Sequence, residues 1–286
     1  MKKTYYPRLD ETVCRTVLPN GLTVLVVPKP GFTRKIAYFV TNYGSVHTAF
    51  TLDGRHYTTP AGVAHYLEHK MFDLPGRDVT AEFAALGASP NAFTSYGLTA
   101  YYFSCTDNFS PALRLLLEFV STPYFTEESV AKEQGIIAQE IRMIEDNPDW
   151  QIYTRMMKCL YSQNPVRTSI AGTVESISHI TADTLYQCHK AFYTPSNMIL
   201  TVVGDVDPVH IVDIARSILP REGGPVIQRD YGEESMDVAE KETCMEMDVS
   251  SPQFLVGYKC RPAEEGEAYL RLAAIGDMAC YILLGD

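Results

Sequence analysis

Strand-like and helix-like segments alternate through the first 220 residues of this chain, and that order predicts a sheet domain of α/β or α+β class. Two observations carry the prediction. Short runs rich in Val, Ile, Thr and Tyr follow Pro/Gly turns, as strands do. Longer segments place apolar residues at helical spacing behind Ser, Thr or Asp. With 286 residues and 46% hydrophobic content, the chain is long enough for one large domain and part of another.

The elements follow in order. A strand over 22–27 comes after the turn Pro19-Asn20-Gly21, and one over 36–43 comes after Pro30-Gly31. A helix over about 61–72 is followed by a second over 80–86, which stops at Gly87. Residues 98–105 read as a strand. Ser110-Pro111 reads as an N-cap with Pro at N1, opening an apolar helix through Leu113, Leu116, Leu117 and Val120. Thr126-Glu127-Glu128 opens a longer helix, its acids where the macrodipole favours them. Thr181 caps a helix through Phe192, 199–203 is an apolar strand, and a helix after Pro208 ends near Leu219.

Within the first of these helices, His65-Tyr66-Leu67-Glu68-His69 places three metal-site groups in little more than one turn. His65 and His69 are i, i+4 neighbours, so both imidazoles leave one face and can converge on one cation. Glu68 has reach to a water on that cation rather than to the cation itself. Imidazole suits zinc, and a catalytic zinc keeps one position open for water. This order of residues is the reverse of the His-Glu-x-x-His pattern, in which the glutamate is a general base, and it points to a zinc peptidase. The bland alternative is two surface histidines on a solvated helix. Ala64, Leu67, Met71 and Phe72 argue against it, because a solvated helix needs no apolar stripe.

Composition excludes other classes. A net charge of −11 gives no electrostatic support for binding nucleic acid. No apolar run approaches the roughly 18 residues that a membrane span needs. The segment from Met1 to Pro7 meets Arg8 and Asp10 before any apolar core, so it does not read as a signal peptide. Seven scattered cysteines without a Cys-x-x-Cys pair argue against disulfides and a thiolate zinc knuckle, and favour a reducing cytoplasm. Glu133 and Glu140 share a helix face, but spacing alone does not choose Glu140 over Glu118, Glu133 or Glu145.

Taken together, several segments resemble the pitrilysin/insulinase family of zinc metallopeptidases, and within it the bacterial two-domain processing-peptidase-like branch. They are Leu18-Pro19-Asn20-Gly21-Leu22, Asn42-Tyr43-Gly44-Ser45, residues 62–69, Asn91-Ala92-Phe93-Thr94, residues 133–140, Tyr193-Thr194-Pro195-Ser196-Asn197 and Val203-Gly204-Asp205-Val206. The metal motif with the downstream Glu pair is the specific part; the turn matches are individually weak. The resemblance implies an α+β fold with a mixed, largely antiparallel sheet packed with helices, repeated in a second homologous domain. It implies one Zn2+ per chain held by His65, His69 and Glu140, with Glu133 supporting the ligands from behind. Glu68 is then the catalytic base on the zinc-bound water, and residues Asn91, Ala92, Phe93 and Thr94 bind a peptide laid along a sheet edge. The family has Phe where this chain has Tyr66.

The expected function is therefore a cytoplasmic zinc endopeptidase acting on short or unfolded peptides. Two other readings stand beside it. One is a non-catalytic metal-binding partner subunit, in a homodimer or a heterodimer with a related chain. The other is a structural metal domain, for which Glu133 offers a fourth ligand. The expected division is a metallopeptidase domain over 1–222, a linker over 223–235 rich in Gly and Pro, and the incomplete start of a second domain over 236–286. Residues 243–249 and 254–259 read as its strands, and Leu270, Ile275, Met278, Ile282 and Leu283 as the apolar face of a last helix. The Arg/Tyr pair that the family's second domain supplies is not identifiable before Asp286.

Overall fold

A computed structural model describes residues 1–260 and 266–284. Alternating burial explains the central sheet. Strands β1 (Lys2–Tyr6) and β2 (Glu11–Val17) lead into β3 (Thr23–Pro28) and β4 (Lys35–Thr41), where the inward residues Val24, Val26, Ala37 and Phe39 alternate with half-exposed ones. Strands β5 (Ala49–Leu52) and β6 (Arg55–Thr58) form a hairpin apart from that sheet, and β7 (Asp73–Leu74) and β8 (Arg77–Asp78) form a short ribbon. Strands β9 (Ala88–Thr94), β10 (Thr99–Cys105) and β11 (Met198–Gly204) complete a seven-stranded sheet in the order β1-β2-β3-β11-β4-β10-β9. Only β3 and β11 pair in parallel; the other neighbours are antiparallel. The fold is α+β. Because β11 inserts between β3 and β4, residues more than 150 apart in sequence close one core.

Helices α1 (Val63–Lys70), α2 (Val79–Ala85) and α3 (Phe109–Ser121) pack on β9 and β10. Next come α4 (Glu127–Glu145), α5 (Pro148–Leu160), α6 (Val174–Ser178), α7 (Ala182–Phe192) and α8 (Pro208–Ile218). Phe39, Tyr66, Phe83, Phe103, Phe119 and Phe192 are fully buried and knit the helices to the sheet. Two glycines are sterically required near the later site. A Cβ on Gly44 would stand 2.5 Å from the carbonyl oxygens of Ser95 and Tyr96. Gly62, at φ +94°, caps α1 and comes equally close to the Ala171 carbonyl, which fixes where α1 begins.

The structure departs from the sequence expectations at several places. Helix α3 starts at Phe109 behind Asn108, which sits in the left-handed region, so Ser110 is inside the first turn and not the cap. Its hydroxyl instead meets His210 Nε2 at 3.0 Å. Residues 227–230 of the expected linker are a strand, β12 (Ile227–Asp230), paired antiparallel with β5. The expected strands over 243–249 and 254–259 take no place in a sheet among the described residues. The last helix, α9 (Glu267–Leu284), does form, with Leu270, Ile275, Met278 and Ile282 exposed. Leu283 lies outside the described side chains.

Candidate metal centre

Helix α1 delivers the two histidines as its spacing requires. The rings of His65 and His69 stand 4.7 Å apart at 66°, with His65 buried. Helix α4 crosses them and presents Glu140. Thr126 starts α4 with a reciprocal cap, its side chain accepting from the Ser129 N–H. Glu140 Oε1 lies 3.5 Å from His65 Nε2, and its Oε2 lies 3.4 Å from His69 Nε2. One donor atom from each of the three residues falls within 4.8 Å of the others. Ligands at zinc–nitrogen distances in a tetrahedron stand about 3.3 Å apart, so this donor set fits such an ion with little movement.

The surroundings favour positive charge at that point. Glu133, seven residues before Glu140 on α4, places Oε1 3.1 Å from His69 Nδ1. Burial disfavours charge on His69, but the hydrogen bond to Glu133 and the charges of Glu68, Glu140 and Glu133 outweigh it and raise its pKa. The hydrogen bond from His65 holds Glu140 below the ordinary carboxylate range, against burial and with help from both imidazole charges. His65 Nδ1 is buried and finds no partner among the described residues. Glu133 faces the other nitrogen of His69, so it supports that ring from behind and is not placed as a fourth ligand.

Glu68 stands beside this set and outside it. Thr94 Oγ1 donates to Glu68 Oε2 at 2.7 Å, which ties the carboxylate to the last residue of β9. Of the four β9 residues singled out from the sequence, Thr94 therefore meets the site directly. Ala92 is partly buried against the core, and Asn91 Oδ1 accepts from the Ala92 N–H at 2.8 Å. Phe93 is exposed and meets Tyr102 edge-on at 6.3 Å; by strand alternation it faces away from Thr94. Strand β9 is the last of the sheet and pairs only with β10 among the described residues. Tyr101 is a core residue, its hydroxyl 2.8 Å from that of Tyr193. The Thr94–Glu68 bond joins residues 26 apart, and no local pattern in the sequence signals it.

Known proteins share this arrangement of sequence and fold. Residues 53–174 match the family described as insulinase, peptidase family M16, and residues 179–279 match the peptidase M16 inactive domain. The chain is 46% identical over 277 residues to the uncharacterized zinc protease YmfH of Bacillus subtilis, covering 95% of this chain and 65% of that one. A Rickettsia felis protein named as a zinc protease is 30% identical, over 70% of this chain and 48% of its own length. The chain thus spans from about half to 65% of these curated relatives. An M16-like peptidase structure from Alicyclobacillus acidocaldarius superposes with a TM-score of 0.77 at 43% identity, covering 80% of this chain and 55% of that one. A Helicobacter pylori protease at 22% identity and TM-score 0.65 shares the fold, over 79% of this chain and 54% of its own. The two matches together span most of the sequence: the chain belongs to the insulinase family of peptidases, M16.

Proposed function

We propose that this chain carries the metal-binding half of a zinc-dependent endopeptidase that hydrolyses short or unfolded peptides. The convergence of His65 Nε2, His69 Nε2 and the Glu140 carboxylate supports this most directly, with Glu68 alongside them. His65, His69 and Glu140 would hold one zinc ion. When bound, zinc would polarise a peptide carbonyl and acidify a water molecule. Glu68 is the base: Thr94 occupies its Oε2, which leaves Oε1 to take the proton of the attacking water. The same oxygen then hands that proton to the departing amine. Glu133 holds the His69 ring in one orientation throughout.

The open edge of β9 would accept the peptide as an added strand through main-chain hydrogen bonds. Such pairing is indifferent to most side chains, so it suits a broad range of unfolded substrates. Residues 91–94 would line that strand. The intact set of Glu68 and three ligands favours a working enzyme over a non-catalytic partner subunit, although a homodimer or a heterodimer with a related chain is compatible with it. Seven free cysteines support a reducing cytoplasmic setting, and among the described residues no helix is long and apolar enough to cross a membrane.

Metal content and peptide cleavage test the proposal together. Dialysed wild-type chain should retain one zinc by atomic emission, and His65→Ala or His69→Ala should lose it. Full occupancy in either variant would sink the site. The zinc-loaded full-length protein should cleave an unstructured peptide, and cleavage should stop when the metal is chelated.

A further inference from the structure

We infer that Tyr66 is a positioning residue: with Lys70 it pins helix α4 against α1, and so sets where Glu140 stands relative to the two histidines. The inference rests on the metal reading above. Tyr66 is fully buried, and its hydroxyl donates to the Val130 carbonyl in the first turn of α4. Lys70 lies one helical turn further along α1 and is 1% exposed. Its Nζ reaches the adjacent Ser129 carbonyl at 3.4 Å and the Asp73 carboxylate at 2.5 Å. Two neighbouring carbonyls of one helix are thereby held by two i, i+4 side chains of the other.

The consequence is geometric. His65 and His69 also form an i, i+4 pair, offset by one residue from Tyr66 and Lys70, so the metal-site pair and the pinning pair share the same stretch of α1. Glu133 and Glu140 lie three and ten residues beyond Val130 on α4. A helix is stiff along its axis, so a slip at Val130 is carried to Glu140, about 15 Å further on. The pinning bonds end on backbone carbonyls and use neither glutamate. Glu140 is left free to face a cation, and Glu133 to hold His69.

A phenylalanine at position 66, the residue that the family resemblance predicts, would fill the same space without the bond. The hydroxyl is therefore a feature of this chain whose removal leaves packing intact.

The test compares wild type, Tyr66→Phe and Lys70→Met. Zinc affinity is measured by chelator competition, and Co2+ is substituted so that its d–d absorption reports ligand geometry. Tyr66→Phe should keep one zinc at saturation but bind it about tenfold more weakly, and its Co2+ band should shift. Metal-free thermal unfolding should move little, and with the full-length enzyme kcat should fall while KM holds. Unchanged zinc affinity together with an unchanged Co2+ band in Tyr66→Phe would overturn the inference. Should that variant not fold, the same two measurements on Lys70→Met decide in the same way. If wild type binds no zinc, the metal reading itself fails, and this inference falls with it.

Discussion

Glu133 Oε1 lies 3.1 Å from His69 Nδ1, while Glu140 Oε2 lies 3.4 Å from His69 Nε2, so one imidazole is held between two carboxylates of a single helix. The two glutamates are seven residues apart, close to two full turns, which is why one helix can serve both ring nitrogens. The division of labour follows from which nitrogen each faces. In the proposed site Glu140 would join the donor set, and Glu133 would fix the tautomer and raise the basicity of the ring.

Removing Glu133 should therefore weaken metal binding without abolishing it. Glu133→Ala is expected to lower zinc affinity by about 10- to 100-fold while the stoichiometry at saturation is kept. Glu133→Gln, which can still accept a hydrogen bond, should fall between this variant and wild type. Chelator competition measures both. Wild-type affinity in Glu133→Ala would show that the His69 contact is incidental.

Glu68 should separate binding from turnover. Glu68→Gln keeps the shape and the bond from Thr94 but cannot take a proton, so zinc content should stay while peptide cleavage falls by at least about 100-fold. Thr94→Val should cost less, because the carboxylate remains but loses its anchor. Near wild-type turnover in Glu68→Gln would remove Glu68 from the base role.

Two buried histidines predict how stability depends on pH. His189 is buried, stacks on Tyr193 at 4.8 Å and donates from Nε2 to the Val120 carbonyl at 3.1 Å. Burial lowers its pKa to about 4, partly opposed by that hydrogen bond. Burial, aided by the Arg229 charge, also takes His47 to about 4. Between the unfolded value of about 6.5 and pH 4, the unfolded chain binds protons that the native state does not. Their stabilisation is thus complete above about pH 6.5 and is lost as pH falls towards 4, at up to about 1.4 kcal/mol per pH unit for His189. His189→Gln should flatten that part of the curve, read from urea midpoints at pH 7 and pH 5. An equal slope in the variant would count against it.

The sequence made local features legible and left long-range ones hidden. The i, i+4 histidines and the cap at Thr126 are short-range patterns, and both stand where periodicity and capping put them. The strands over 22–27, 36–43, 98–105 and 199–203 each lie within two residues of the observed elements. Strands β1 and β2 escaped notice because charged and polar residues interrupt them, and β1 is exposed throughout. Helix α5 was also missed, although Asn147 and Pro148 are an N-cap and N1 pair of the kind recognised elsewhere. The meeting of Glu140 with His65 spans 75 residues, and no local rule specifies it; the family resemblance singled out that residue. Position 227–230 misled for the opposite reason. Its Gly- and Pro-rich approach reads as a linker, but alternating Ile227 and Arg229 complete a ladder on β5.

That pairing changes where the chain should be cut. Beyond β12, Glu234 accepts from the backbone N–H groups of Ser162, Gln163 and Asn164 at 3.0, 2.8 and 2.7 Å. Lys259 Nζ reaches the same carboxylate at 2.7 Å. Burial opposes the charge, but the ammonium and the three N–H groups hold this carboxyl well below the ordinary carboxylate range. Residues 227–234 are thus fastened at both ends, whereas 241–256 run largely exposed without strand pairing among the described residues, tied to α5 through side chains such as Arg155 on Thr243 and Gln253 on Asp149. Limited proteolysis should cut first within 241–256 and leave a stable N-terminal piece that still contains β12. Glu234→Ala removes the acceptor for all three N–H groups, and early cutting should then spread back into 231–240. Mass spectrometry of the first fragments distinguishes the cases. A first cut at 220–230 in the wild type would mean that β12 is not held on β5, and that the boundary lies in the Gly-Pro stretch after all.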